Sequence, residues 1–437
     1  MKRTFHGGIE IDEHKNTSNI AMDRSFSPEK VIIPMSQHIG TPCLCIVKKG
    51  DIVKKGQMIG QPQGNLSCPI HASVSGKVLD VIEQIGVSGQ KTISVLIEND
   101  GLNTLDESVC PKDYEAMSVE EIIEQIRLAG ISGLGGATFP TYAKILSALG
   151  KVDKLILNCS ECEPYITANH RLMLEHPNRI LKGTKILLKV FGLEKAHMGI
   201  SDNKPDAIKL FKEFAESEKF FEVTELKTKY PQGDERQLIY ALTKRRVPLG
   251  KLPADVGCVV FNPETVAAIE RAFTLGMPLI EKIVTLDGDR IKEPRCVKVP
   301  IGAEYEEIMR HCGYICENPQ KIISGGTMMG FTVWNTKMPV SKGCSSILVF
   351  ENSDFKTPEN TYCIRCGKCV EACPMRLMPS YIAQYARKGL LDECERLNAR
   401  ACVECGCCSY VCPAKVPVSQ YIRTVKAKII AKTRRQK

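Results

Sequence analysis

The sequence predicts a multidomain chain, β at its start, α/β in its middle and β again after that, closing in a small helical module built on cysteine. Three observations predict it. Glycine-punctuated valines and isoleucines fill the first hundred residues, strand-like and helix-like segments alternate from residue 118 to 272, and one cysteine pattern occurs twice between Thr361 and Pro417. At 437 residues the chain is too long for one compact core. A hydrophobic content of 43% with 25% charged residues is that of a soluble globular protein, and no run of 18 apolar residues exists to span a bilayer. Twenty-one cysteines without a recognisable secretory signal predict a reducing compartment and metal chemistry. The boundaries expected are 1–105, 115–272, 273–350 and 355–420, with 421–437 as a basic tail.

Residues 1–105 read as all-β. Val31 to Pro34 is a strand, Val47 to Gly60 repeats a turn pattern, and His71 to Val78 bends tightly into a further strand. Glycines at these steps supply positive φ, and alternating Val and Ile supply a half-buried strand face. The two segments resemble the barrel-sandwich hybrid of biotinyl and lipoyl carrier domains. A carrier needs a lysine at the exposed hairpin, and residues 61–69 contain none, so a structural domain is expected and not a swinging arm. His38 and His71 are expected to pack or face solvent and not to bind metal.

Residues 106–117 form a polar linker. Ser118 and Glu121 then make a capping box for a helix carrying Ile122, Ile123, Ile126 and Leu128. It leads into a loop with Gly130, Gly133, Gly135 and Gly136, followed by Phe139 and Lys144. Small residues let a backbone approach a flat or phosphorylated ligand, and amides at a helix N-terminus bind anions. The spacing is not GxGxxG and follows a helix, so taken alone the loop serves equally well as a turn.

Residues 154–157 predict a buried strand delivering Asn158, Glu161 and Glu163 at its carboxyl end, where open α/β sheets bind ligands. Two carboxylates and an amide there can hydrogen-bond an isoalloxazine or nicotinamide ring. Cys159 and Cys162 form a CxxC without a second pair, which argues against metal. Helices follow at 180–191 and 204–218, strands at 195–200 and 221–226; Gly233, Asp234 and Glu235 open a helix, and the strand 256–261 ends in Asn262, Glu264 and Thr265. Two such strand ends beside a glycine-rich loop predict a nucleotide-type site in a Rossmann-like domain. Beyond Gly276 come strands at 282–286 and 296–299 and a helix at 305–311. Cys312 and Cys316 match no ligand spacing, and Trp334, the single tryptophan, belongs to the core or to an interface, with the core expected first.

Cys363, Cys366, Cys369 and Cys373 precede Pro374, and Cys402, Cys405, Cys408 and Cys412 precede Pro413, at identical steps. This is the bacterial [4Fe–4S] run, twice; its fourth cysteine ligates the other cluster. One cluster is therefore assigned to Cys363, Cys366, Cys369 and Cys412, the other to Cys402, Cys405, Cys408 and Cys373. Zinc would call for two separated pairs and no Cys-Pro step. Cys407 lies off the spacing as a bystander, and residues 380–398 read as helix. The net charge of +9 is concentrated after Arg423, where the chain could meet anionic lipid, an acidic partner or only water.

Four blocks (Gly135, Gly136, Phe139 and Lys144; Asn158, Glu161 and Glu163; Gly233 to Glu235; Asn262, Glu264 and Thr265) together resemble the flavin-binding, NADH-oxidising subunit of respiratory complex I. The resemblance implies noncovalent FMN on Gly135, Gly136, Lys144, Asn158, Glu161, Asn262 and Thr265, with NAD(H) at Phe139, Glu163 and Glu235. Ser132 and Leu134 stand where that pattern has arginines and Thr138 where it has glycine, which bears on phosphate contacts. With Phe5 to Ile9, Gln37 to Pro42 and the doubled cysteine run, the whole chain resembles the C subunit of the Rnf complex. That implies an SLBB β-grasp domain at 273–350 and membership of a membrane-bound ferredoxin:NAD oxidoreductase that moves Na+ or H+. Hydride would pass between NAD(H) and FMN, and single electrons through two [4Fe–4S] clusters. Its implied place is the cytoplasmic membrane face, with the other Rnf subunits as partners, membrane subunits and a ferredoxin-interacting iron–sulfur subunit included, and no nucleic acid. Two further readings stay open: a soluble Rnf-like protein delivering NADH electrons to proline reductase, and an iron–sulfur scaffold whose middle domain has lost nucleotide binding.

Overall fold

The computed structural model describes residues 2–86, 89–315, 320–351 and 361–435. Strands β1 (Lys30–Pro34), β2 (Leu44–Cys45), β3 (Ile52–Val53), β4 (Met58–Gln61), β5 (Ile70–His71), β6 (Gly76–Ile85) and β7 (Lys91–Asn99) make two antiparallel sheets, ordered β1-β7-β6-β3 and β2-β4-β5. Val31, Ile33, Val78, Val95 and Ile97 of one meet Ile59 and Ile70 of the other in a single apolar core. Period-two alternation turns these side chains inward along each strand. His38 and His71 are buried, and burial pushes the His71 imidazole down to about 3.

The sandwich starts only at Lys30. Residues before it run as a strap over the rest of the molecule: Arg3 pairs with Leu226, Ile9 with Tyr230 and Asp23 with Val297. Lys15 anchors the strap, its ammonium donating to the carbonyls of Glu161, Glu163 and Ile166 at 2.9, 2.7 and 2.6 Å. Charge-assisted bonds of this kind are roughly twice as strong as neutral ones.

The middle domain contains α1 (Val119–Leu128), α2 (Thr141–Ala148), β8 (Lys154–Cys159), α3 (Ala168–Glu175), α4 (Pro177–Phe191), β9 (Ala196–Ser201), α5 (Pro205–Ser217), β10 (Phe221–Leu226), α6 (Glu235–Thr243), β11 (Cys258–Phe261) and α7 (Pro263–Thr274). The capping box opens α1, with Glu121 N donating to Ser118 Oγ and Ser118 N to Glu121 Oε2. The sheet is parallel in the order β10-β9-β8-β11. Leu155 to Leu157 of β8 and Cys258 to Phe261 of β11 are buried apolar runs, as expected of strands covered on both faces. Strand order reverses between β8 and β11, so the crevice of such a sheet opens there.

The third domain holds β12 (Glu281–Asp287), β13 (Arg295–Pro300), α8 (Tyr305–His311), β14 (Gln320–Ser324), β15 (Phe331–Val333) and β16 (Ser346–Glu351), its mixed sheet ordered β13-β12-β16-β14-β15. Cys312 is buried, and Cys316 lies outside the described residues. Trp334 is not in the core: it is 64% exposed. Val333 takes the inward position on the edge strand β15, which turns its neighbour out. Lys342 ties three domains together, donating through Nζ to Gly130 O at 2.6 Å and Pro69 O at 3.3 Å.

The last domain has α9 (Lys368–Glu371), α10 (Pro379–Arg387), α11 (Leu391–Arg396), α12 (Cys407–Tyr410) and α13 (Val418–Arg435). The helix expected over 380–398 is two helices. Gly389 lies between them at φ 72°, a left-handed conformation that ends a helix. Nor is the basic segment after residue 421 a free tail within the described residues. Ile422, Val425 and Ile429 of α13 are buried in the core of this domain, and Lys426 donates to Cys402 O at 2.7 Å.

Candidate functional site

An open cleft of about 1540 Å³ lies at the β8/β11 crevice, and nine of the ten residues expected there line it: Gly135, Phe139, Lys144, Asn158, Glu161, Glu163, Glu235, Asn262 and Thr265. Gly136 is the exception. It stands one step along the loop at φ 103°, with open space where a Cβ would be.

Each wall is held by local bonding. Thr265 Oγ1 accepts the Leu134 amide at 2.9 Å, while Lys282, paired with Glu264 in the interior, donates to the Leu134 carbonyl at 3.2 Å. That fixes the glycine-rich loop from below. Leu134 and Ser132 are buried, so the positions where the complex I pattern has arginines face the protein interior in this chain. Thr138 keeps the left-handed backbone, φ 48°, that its glycine counterpart would favour.

Asn262 caps α7 by accepting the Glu264 amide at 2.9 Å, and Asn158 Nδ2 donates to Gly233 O at 2.8 Å, tying the ends of β8 and α6. Lys144 pairs with Glu235 at 2.6 Å and sits 5.5 Å over the Phe261 ring. The resemblance gave these two residues separate ligands; the structure makes them one pair.

The two remaining carboxylates are already engaged. Glu161 accepts the amides of Asn169 and His170 at 2.6 and 3.1 Å and so caps α3, a helix the sequence reading missed. The signal was Glu161 itself, an N-terminal acceptor read only as a ligand. Glu163 accepts the amides of Met328 and Met329, each at 3.1 Å, from the third domain. Burial pushes its carboxyl up to about 6, and a Cβ on Gly326 would collide with Oε2. From behind, Lys15 and Lys204 hold the carbonyls of residues 160–166, Lys204 donating to Ser160 O at 2.7 Å. Burial lowers the Lys204 ammonium to about 8.

Two cavities in the last domain collect the cysteines. Cys363, Cys366, Cys369 and Cys412 line one of about 1080 Å³; Cys373, Cys402, Cys405 and Cys408 line another of about 360 Å³. These are the two interleaved sets the spacing assigned. Among the described residues no three Cys, His, Asp or Glu side chains group as a single metal ion would need. Four thiols around each of two cavities match the ligand count of two cubanes. Backbone amides already face sulfur, Leu377 N to Cys373 Sγ at 3.4 Å and Glu404 N to Cys402 Sγ at 3.3 Å. Cys407 also borders the smaller cavity and packs beside Tyr230.

Val403 and Cys405 line both the smaller cysteine cavity and the cleft. No local pattern announces this contact, because the two stretches lie far apart along the chain.

Comparison with known proteins agrees in all four regions. The family descriptions that match are an RnfC barrel sandwich hybrid domain over residues 3–102, a Nuo51 FMN-binding domain over 126–271, an SLBB domain over 283–332 and a 4Fe-4S dicluster domain over 362–416. The C subunit of the Na(+)-translocating ferredoxin:NAD(+) oxidoreductase complex of Acetobacterium woodii is 47% identical, covering 99% of this chain and 98% of that one. Its proton-translocating counterpart from Clostridium ljungdahlii is 45% identical over 100% and 96%. The C subunit of an ion-translocating oxidoreductase complex of Vibrio cholerae is 39% identical over 91% of this chain and 52% of its own length. Among solved structures, an NAD+-reducing [NiFe]-hydrogenase in the air-oxidized state shares the fold, with a TM-score of 0.52 and 17% identity over 71% of this chain and 63% of that chain.

Proposed function

The chain belongs to the family of C subunits of ion-translocating ferredoxin:NAD(+) oxidoreductase complexes, and on that premise we propose that it exchanges a hydride between NAD(H) and FMN in the cleft and single electrons through two [4Fe–4S] clusters. The observation that carries the route is Cys405, which stands in the wall of both the cleft and the smaller cysteine cavity. The flavin supplies the conversion between two-electron and one-electron chemistry, which neither a nicotinamide nor a cluster can perform alone.

The chain's own residues bind and orient. Gly135 lets the loop backbone come close, with Asn262 3.6 Å from where its Cβ would be. Lys144 offers a cation held in place by Glu235, and Asn158 and Asn262 fix the strand ends between which a flat ring fits. Phe139 also lines the cleft, and the nicotinamide nucleotide would lie beside it. The smaller cysteine cavity, with Cys373, Cys405 and Cys408 buried, takes the cluster next to the cleft; the larger, with Cys363 and Cys366 exposed, takes the cluster next to solvent.

That outer face is the port for a one-electron partner. Tyr362, Ile364 and Tyr381 are exposed there among exposed Arg365, Lys368, Arg387 and Lys388, a basic rim around an apolar centre that suits an acidic iron–sulfur protein. Among the described residues no helix is long and apolar enough to cross a membrane. Ion movement is assigned to partner subunits, with this chain peripheral on the cytoplasmic face.

Anaerobic titration with NADH, following flavin absorbance and low-temperature EPR on the same samples, tests the reading. Flavin bleaching followed by cluster signals is the expected result. Protein that holds clusters but no flavin, and that NADH leaves unchanged, would make the middle domain a scaffold.

A further inference from the structure

Tyr230 stands where the strap, the cleft and the smaller cysteine cavity meet. Its backbone is paired on both sides with Ile9, N to O at 2.9 and 2.8 Å. Its ring is 1% exposed in an apolar cluster with Ile9, Ala372, Cys405 and Cys407. Within that cluster its hydroxyl donates to the Cys405 carbonyl at 2.8 Å, and Glu163 Oε1 lies 3.4 Å away as a weaker second acceptor. A phenol in such surroundings needs an acceptor, since an unmet buried hydroxyl costs roughly 1–3 kcal/mol. The acceptor it finds belongs to the cysteine that walls both cavities. Nothing in the proposed hydride or electron steps requires a hydroxyl at this point.

We infer that Tyr230 is a positioning residue for electron transfer: its hydroxyl pins the Cys405 loop against the cleft and so holds the inner cluster within reach of the flavin. The inference rests on the reading that Cys405 ligates that cluster. The bond acts at the peptide of a ligand, so it sets where the sulfur stands without touching it. The strap takes part by holding the Tyr230 backbone. The Gly8 amide extends the same hold to the cysteine module by donating to Ala372 O at 2.9 Å. Gly7 leaves no room for error there, a Cβ at that position falling 2.8 Å from the Cys373 carbonyl.

The test is Tyr230→Phe in the full chain, loaded with flavin and iron and mixed with NADH in a rapid-freeze experiment. Flavin bleaching and the EPR signal of the inner cluster are both followed. The ratio of the cluster rate to the flavin rate is expected to fall by up to about fivefold, the population change that loss of one hydrogen bond of ~1 kcal/mol allows. The inner-cluster signal, identified by its absence in Cys402→Ala, is expected to change shape while the outer one stays as it was. An unaltered ratio with an unaltered signal overturns the inference. So does an equal fall in both rates with no spectral change, which would place Tyr230 in cleft binding alone. If the phenylalanine protein does not retain iron, fluorotyrosine placed at position 230 keeps the ring and strengthens the donor; the inner signal must then move, and a fixed signal overturns the inference. Failure of the underlying reading looks different: Cys405→Ala would then retain both cluster signals and the full iron content.

Discussion

The two cysteine motifs share a backbone and differ in everything outside it. Arg365 and Glu404 take left-handed φ of 57° and 59° at equivalent positions, as do Gly367 and Gly406 at 80° and 81°, and Arg376 and Lys415 at 55° and 53°. Each motif contributes three cysteines to one cavity and one to the other. Yet Cys363 and Cys366 are exposed, whereas Cys405 and Cys408 are buried. The inner motif has the cleft on one side and α13 on the other; the outer has solvent and a ring of cations. A repeated ligand pattern therefore fixes the cage alone, and its place in the transfer route comes from what packs around it.

The largest expected effect breaks the comparison outright. Cys402→Ala should abolish the inner cluster signal and the NADH-driven reduction of anything downstream, with flavin bleaching retained; Cys363→Ala should leave the inner cluster reducible by NADH and abolish transfer to an added acceptor. Iron content and EPR on both variants check it, and loss of bleaching in Cys402→Ala would show that the two sites are not separable.

A second effect bears on the inner cage alone. Lys426 donates to Cys402 O and to Glu404, both at 2.7 Å. Lys426→Met should destabilise this domain by about 1.5 kcal/mol, the value of a hydrogen bond from a charged donor, and speed iron loss to a chelator from the inner cage first.

The third is a pH dependence beside that cage. Burial raises the Glu163 carboxyl from 4.5 to about 6. Between these values the folded chain holds the proton more firmly than the unfolded one. The group's contribution to stability is thus complete below 4.5 and is lost as pH rises through 6, about 2 kcal/mol in all. Thermal unfolding of Glu163→Gln against the native chain should show a difference that changes across pH 4.5 to 6 and is flat above it.

The smallest effect belongs to the outer motif. Lys368→Glu with Lys388→Glu should slow electron exchange with an acidic ferredoxin about tenfold at low ionic strength and hardly at all in high salt. Stopped-flow rates across a salt series measure it.

Much of the site was readable because its signals are local. Cysteine spacing requires no partner beyond the motif, and Asn158 and Asn262 announce themselves as polar residues ending apolar strands. What escaped depended on contacts between distant stretches. Glu161 and Glu163 look alike in sequence, yet one caps α3 and the other receives two amides from the third domain. Gly389 after Arg387 and Lys388 is a local helix-stop signal that the reading of one helix passed over, whereas Trp334 follows an edge strand whose neighbours no local pattern specifies. The strap was hidden for the same reason: Lys15 is one charge among many until its three carbonyls are known.

That strap also orders the making of the protein. Its residues are made well before the partners they hold, since Gly8 bonds to Ala372 and Ile9 to Tyr230, so they cannot seat until those distant stretches exist. Contacts so distant in sequence form late and depend on both ends being ready. The cysteine module is synthesised after the other three domains, so its arrival is the condition for closing the strap over Tyr230 and the loop behind the cleft. Assembly thus has a built-in checkpoint, in which residues made early lock down a domain made long after them.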